Sequence, residues 1–169
     1  RGPVWVFHPG TSADTSPELK RWLPERWAGL AARVLAGRGG GIVITGSTGE
    51  RALAEEIRNR LPGRLRPRVM NWAGRTRLAA LVALDARASA VVAVDSGPMH
   101  LAALAGAPVV GLFLAETPVL YGPLAARGEA VGARSYASPA FTVYTGKQAV
   151  VPGNESARAT TVAAVLAAV

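Results

Sequence analysis

The 169 residues are enough for one domain with a proper core, and half are hydrophobic, which excludes a mainly disordered chain. The absence of cysteine excludes thiolate catalysis, thiolate metal sites and disulfides, and two well-separated histidines, His8 and His100, argue against a metal centre. Nineteen basic against eleven acidic side chains give a formal charge of +8, and seventeen of the basic residues are arginines.

That excess reads first as a solvated, arginine-rich surface and second as attraction for an anion such as a nucleotide, an acidic glycan or a phospholipid surface. The densest cluster, Arg58, Arg60, Arg64, Arg66 and Arg68, is not interleaved with aromatics, so nucleic acid is not an expected partner. No apolar run approaches the roughly 18 residues of a spanning helix, and no secretory leader pattern opens the chain. It begins Arg1-Gly2-Pro3 and enters a strand at once, as expected of a fragment or a processed product.

Val4–Phe7 reads as a first strand, turned by His8-Pro9-Gly10. Residues 11–23 read as a polar loop, and Pro24 opens a helix buried through Trp27, Leu30, Ala31, Val34 and Leu35. Gly37, Gly39, Gly40 and Gly41 stop it ahead of a second strand, Ile42–Thr45. Ser47 and Glu50 have capping-box spacing at the next helix, whose inner face is Leu53, Ile57 and Leu61. A weak third strand spans Arg68–Asn71, and Thr76 is expected to cap a helix buried through Leu78, Leu81 and Val82. Ala90–Val94 is a fourth strand, Pro98–Ala105 its helix, Val109–Leu114 a fifth strand and Ala157–Val169 a closing helix. Between Glu116 and Gly153 only Val131 and Phe141–Val143 hint at short strands. Trp5 and Trp27 are expected in the core, with Trp22 and Trp72 packed under loops. Strands and helices alternate with short connections, which predicts an α/β, Rossmann-like three-layer domain with a mostly parallel sheet.

The most telling stretch is Asp95-Ser96-Gly97-Pro98-Met99-His100. A buried strand ends in an acid, and a small-residue turn starts a helix at the carboxyl edge, where parallel sheets bind ligands. Free amides at the helix start suit a phosphate, and Pro98 sacrifices no bond in the first turn. Ser96 and Gly97 can offer amides, and His100 a further donor, to one anion. Asp95 either accepts from a sugar hydroxyl or braces the turn. Across the sheet Thr11 and Ser12 offer hydroxyls and amides, and Lys20 a mobile charge suited to a diphosphate. No Walker motif and no Gly-x-Gly-x-x-Gly is present. Asp95-Ser96-Gly97 also lacks the first glycine of a nucleophile elbow, which argues against a serine hydrolase.

Four segments together resemble a known family. They are His8-Pro9-Gly10-Thr11-Ser12 with Lys20-Arg21-Trp22-Leu23-Pro24-Glu25-Arg26-Trp27, then Ile44-Thr45-Gly46-Ser47, Ala73-Gly74-Arg75-Thr76-Arg77-Leu78 and Asp95 to His100. In this order they resemble the C-terminal half of the bacterial lipopolysaccharide heptosyltransferases, glycosyltransferase family 9. The likeness runs from about residue 4 to about residue 123 and returns weakly in the last helix.

The resemblance implies one half of a GT-B enzyme, residues 1–169 forming the nucleotide-sugar donor-binding domain, with the N-terminal acceptor domain and its general base absent from this chain. It implies heptose transfer from ADP-L-glycero-D-manno-heptose to a lipopolysaccharide core acceptor, without a cofactor or metal. The implied setting is cytoplasmic, at the inner face of the membrane, with a glycan or glycolipid acceptor as partner. Carried over, Thr11, Ser12, Lys20, Ser96, Gly97 and His100 would hold the diphosphate, and Asp95 would approach the transferred sugar. Ser47 and Thr48 would adjoin the ribose, and Thr76 would flank the base. Thr48 stands where some members carry an acid, and Ala115-Glu116-Thr117 replaces a more usual Pro-Thr/Ser stretch. Two other readings stay open, a nucleotide- or phosphosugar-binding domain without transfer and a nucleotide-sugar epimerase domain.

Overall fold

The computed structural model describes residues 2–11, 20–114, 121–124, 126–132 and 160–169. In chain order the elements are β1 (Val4–His8), α1 (Pro24–Gly37), β2 (Gly41–Ile44), α2 (Arg51–Asn59), β3 (Val69–Asn71) and α3 (Leu78–Asp85). They continue with β4 (Ala90–Val94), α4 (Gly97–Leu104), β5 (Val109–Phe113), β6 (Gly128–Gly132) and α5 (Val162–Ala168). Six strands form one sheet in the order β3-β2-β1-β4-β5-β6, and every pairing among them is parallel. The expected Rossmann-like class is therefore the observed one. Strand order reverses between β1 and β4, which opens a crevice at their carboxyl ends.

Alternation along each strand feeds two cores. Trp5 and Phe7 of β1, Ile42 and Ile44 of β2, Val92 and Val94 of β4, and Val110 and Leu112 of β5 face one side. There they meet Trp27, Leu30, Ala31, Val34 and Leu35 of α1, Ile57 of α2 and Val165 of α5. Val6, Val91, Ala93, Val109 and Phe113 face the other side, against Met99, Ala102 and Ala103 of α4, with Leu84 of α3 packed beside them. Helix α4 comes so close to β5 that a side chain on Gly111 would meet Met99 Sδ at 2.7 Å.

Pro24 opens α1 as its position predicts, and the predicted inner face of that helix is wholly buried. Gly39 and Gly40 take positive φ, and a Cβ on Gly40 would strike the Pro3 carbonyl, so the turn into β2 demands glycine. Trp22 packs edge-on against Trp27, and its indole N–H donates to the Thr160 carbonyl at 2.9 Å. That bond ties the start of α5 to the entrance of α1. Thr161 caps α5 by accepting from the Ala164 amide, so the closing helix is shorter than expected.

Helix α3 departs from its predicted pattern. Thr76 does not cap it: Arg77 holds the N-cap position, and no side chain bonds the first amides. Leu78 is 63% exposed rather than buried, because the first turn of α3 leans over the crevice instead of onto the sheet. Leu81 and Asp85 are the buried residues of this helix. Val131 lies in β6, whereas Phe141–Val143 falls outside the described residues.

The arginine cluster is largely occupied with the fold. Arg66 donates to the Leu61 and Asn59 carbonyls at the end of α2, and Arg68 to the Gly40 and Leu35 carbonyls. Arg58 pairs with Glu55 and donates to the Val69 carbonyl, and Arg60 pairs with Glu56. These guanidiniums close a helix end and tie β3 to its neighbours, which takes most of the cluster out of contention as an anion-collecting surface. Among the described residues no helix is long and apolar enough to cross a membrane.

Candidate functional site

A cavity of about 790 Å3 lies at the carboxyl edge of the sheet, where the order reverses. Its size is that of an ordinary small-ligand site. Four connections build it: Thr11 after β1, Gly46 and Ser47 after β2, Thr76 and Arg77 before α3, and Asp95, Ser96, Gly97 and His100 after β4. Lys20 and Arg21, just before α1, complete the wall.

The start of α4 is shaped to present amides. Ser96 has extended backbone, and its hydroxyl donates to the Val94 carbonyl at 2.9 Å, so its side chain is spent on the turn. No side chain caps α4. A Cβ on Gly97 would meet nothing within 4 Å, so packing does not demand glycine there. Its bareness leaves the backbone approachable at the positive end of the helix dipole.

Lys20 Nζ lies 3.2 Å from Asp95 Oδ2, with both side chains about nine-tenths buried at the cavity wall. The expected diphosphate cation and the expected sugar-side acid therefore contact each other, which joins the β1 side of the site to the β4 side. Asp95 braces the turn through this pair.

On the β2 side, the Ser47 amide donates to Glu50 Oε2 at 2.6 Å, completing the predicted capping box around a short 3-10 turn, Thr48–Glu50. The Glu50 carboxylate is buried and fills the room left by two glycines: a Cβ on Gly10 would collide with it, and one on Gly46 would lie 3.0 Å from Oε2. Gly74, at φ +73°, lets its amide reach the Gly46 carbonyl at 2.8 Å, while a Cβ there would press on the Thr48 backbone at 2.9 Å. Asn71 holds the same turn by accepting from the Ala73 amide. The Ala73-Gly74 segment is thus a bracket that docks the Thr76 loop onto the β2 loop.

Of the expected contact residues, Thr11, Lys20, Ser47, Thr76, Asp95, Ser96, Gly97 and His100 all line this cavity. Thr48 does not: it is exposed at the foot of the 3-10 turn, against Gly74. Ser12 and Ala115-Glu116-Thr117 fall outside the described residues. Trp22 is a core residue and Trp72 is half-buried, in keeping with packing under the loops.

The structure adds His8, Arg21, Glu50, Arg77, Leu78 and Tyr121 to the wall. His8 ends β1 and is 5% exposed, with Nδ1 3.0 Å from the Thr45 hydroxyl. Burial pushes its pKa from the ordinary 6.5 down to about 4, against the pull of the nearby Glu50 carboxylate, so it is neutral at pH 7. Its place at a strand end before Pro-Gly was the available sign in the sequence. For Glu50, capping-box spacing concealed a cavity position.

The model of glycosyltransferase family 9 (heptosyltransferase) matches residues 1–149. Lipooligosaccharide heptosyltransferase 2 of Haemophilus influenzae is 36% identical over 122 residues, covering 72% of this chain and 34% of that protein. The structure of E. coli ADP-heptose LPS heptosyltransferase II superposes with a TM-score of 0.80 at 26% identity, over 99% of this chain and 45% of that one. E. coli heptosyltransferase WaaC with ADP superposes with a TM-score of 0.63 at 25% identity, over 76% of this chain and 37% of that one. The chain spans less than half the length of each of these relatives.

Proposed function

The chain belongs to glycosyltransferase family 9, and we propose on that premise that it is the donor-binding half of a heptosyltransferase. In the whole enzyme it would hold ADP-heptose while the sugar passes to a hydroxyl of a lipopolysaccharide core acceptor. One observation carries this reading: residues from four separate loops converge on one cavity at the topological switch point, with an uncapped helix start and a lysine on its wall. Nucleotide ligands of open parallel sheets bind at such a place.

The chemistry assigned to these residues is stabilisation of the leaving group. As the bond from the sugar to the diphosphate breaks, negative charge grows on the departing phosphate. The Gly97 amide, the α4 dipole and Lys20 would meet that charge with donors already in place. Lys20 would turn from Asp95 toward the phosphate, leaving the Asp95 carboxylate to accept from a hydroxyl of the transferred sugar. Thr11 closes the β1 side, while Ser47 and Thr76 flank the nucleoside, with Leu78 and Leu81 as an apolar wall for the base. The general base that deprotonates the acceptor is assigned to the acceptor-binding half. Neither a cofactor nor a metal enters the proposal, and the setting it implies is the inner face of the cytoplasmic membrane.

Calorimetry with ADP, GDP, UDP and their sugars tests the reading on this chain. The expected result is preference for adenine diphosphates, tighter binding of ADP-heptose than of ADP, and no efficient transfer by these residues alone. Equal or absent binding across the series by folded protein would overturn the donor assignment. Efficient turnover by the isolated chain would overturn the division of labour.

A further inference from the structure

The cavity has two chemically opposite ends. Around the β4 end lie the Gly97 amide and Lys20, the latter paired with the Asp95 carboxylate. Around the β1–β2 end sit His8 and the buried carboxylate of Glu50. Asp95 is already paired with Lys20 at the first end, whereas Glu50 sets the His8 side of the second against a further negative charge. What the second end accepts depends on the state of the His8 ring.

That state follows from the hydrogen bonds behind it. The Thr45 hydroxyl has one proton and two neighbours, the Phe7 carbonyl at 3.4 Å and His8 Nδ1 at 3.0 Å. If the proton goes to Nδ1, one bond forms and the Phe7 contact is lost. If it goes to the Phe7 carbonyl, the same oxygen can accept from Nδ1–H, and both bonds form. The second arrangement keeps both contacts, the longer one adding to the bond that the Phe7 carbonyl already accepts from the Thr45 amide at 2.9 Å. It puts the ring proton on Nδ1 and a lone pair on Nε2. Nε2 makes no hydrogen bond among the described residues. With Nδ1 engaged behind the ring, Nε2 is the nitrogen His8 has left for the cavity it lines.

Resting on the donor-binding reading above, we propose that His8 is a specificity-determining residue whose Nε2 accepts a hydrogen bond from a sugar hydroxyl of the bound nucleotide or nucleotide sugar. The Thr45 hydroxyl and the Phe7 carbonyl fix the tautomer, so the acceptor is preformed before the ligand arrives. Burial keeps the ring uncharged at neutral pH, which suits it to hydrogen-bond recognition and not to proton transfer. The hydroxyl belongs either to the ribose or to the transferred sugar, and an acceptor next to Glu50 selects it against a phosphate.

Two measurements test this. Imidazole 15N spectra of the unliganded protein, which has only two histidines, should show His8 protonated at Nδ1 and bare at Nε2 between pH 5.5 and 8. A proton on Nε2 overturns the proposal whether or not any variant folds. In the second, ADP, 2′-deoxy-ADP, 3′-deoxy-ADP and ADP-heptose are titrated into wild type, His8→Phe and Thr45→Val. A ribose contact predicts that one deoxy analogue binds wild type about three- to tenfold more weakly than ADP, the worth of one neutral hydrogen bond. That penalty should vanish in His8→Phe and shrink in Thr45→Val. A contact to the transferred sugar predicts instead that any deoxy penalty is alike in all three proteins, and that the advantage of ADP-heptose over ADP falls about three- to tenfold in His8→Phe and by less in Thr45→Val. Unchanged penalties and an unchanged advantage in the folded variants overturn the role of His8 and leave the donor reading standing. Wild type that binds none of the four ligands overturns both.

Discussion

Asp85 offers the sharpest stability test, because its carboxyl sits where a charge is costly. It closes α3 at 1% exposure, and its Oδ1 has no hydrogen-bond partner among the described residues. Burial pushes its pKa from the ordinary 3.8 up to about 7. The folded state therefore holds this proton more tightly than the unfolded state does. The resulting stability is full below the unfolded value and is lost progressively as pH rises from about 4 through about 7. At 1.36 kcal/mol per unit, a rise of roughly three units amounts to about 4 kcal/mol of stability lost by pH 8. A negative charge at the carboxyl end of a helix adds to the penalty. Asp85→Asn keeps the shape and removes the ionisation, so it should match wild type near pH 4 and exceed it by about 3–4 kcal/mol at pH 8. Urea unfolding followed by the fluorescence of buried Trp22 and Trp27 reads this directly. Other titrating groups, His8 among them, are shared by both proteins and cancel in the difference. Stability curves for wild type and Asp85→Asn that run parallel from pH 4 to pH 8 would refute the reasoning.

Lys20→Ala should weaken ADP by about 1.5–3 kcal/mol while leaving adenosine little changed, since a charge-assisted bond to phosphate is lost; equal losses for both ligands in calorimetry would contradict a phosphate contact. Gly10→Ala should displace the Glu50 carboxylate and destabilise the fold by about 1–3 kcal/mol, read as a lower melting temperature, with ADP affinity falling as the β1 and β2 loops shift; an unaltered melt and affinity would show that the loops give freely. Trp22→Phe removes the bond to the Thr160 carbonyl and should cost about 1 kcal/mol or more in urea unfolding; no change would mean that α5 is not held through that contact.

The sheet was legible because its strands are short apolar runs ended by turn residues, and because α1 repeats its apolar face at helical spacing from Trp27 to Leu35. The site was legible where it follows from topology: Thr11, Ser47, Thr76 and Ser96 each follow a strand, and the carboxyl edge of a parallel sheet brings such positions together. Leu78 departs from its expected burial because helical periodicity gives a face but not what lies opposite it, and opposite Leu78 is the cavity. Asp85 escaped notice since an acid at the end of a helix ordinarily faces water. His8 could be seen as a turn residue but not as a buried acceptor, because its state depends on Thr45, which is 37 positions away in the chain. The Lys20–Asp95 pair, 75 positions apart, was hidden for the same reason. Arginine density alone points to a solvated surface or to an anion, and only the carbonyls that Arg58, Arg66 and Arg68 meet identify them as structural.

Where a diphosphate sits decides whether this cavity is a donor site. A crystal structure of this chain with ADP tests it most directly. The account predicts the diphosphate at the start of α4, within hydrogen-bond reach of the Gly97 amide, with Lys20 Nζ moved from Asp95 onto a phosphate oxygen and the nucleoside lying toward Ser47 and Thr76. ADP bound away from the β1–β4 crevice, or a diphosphate in that crevice with the Lys20–Asp95 pair intact and the Gly97 amide untouched, would contradict it.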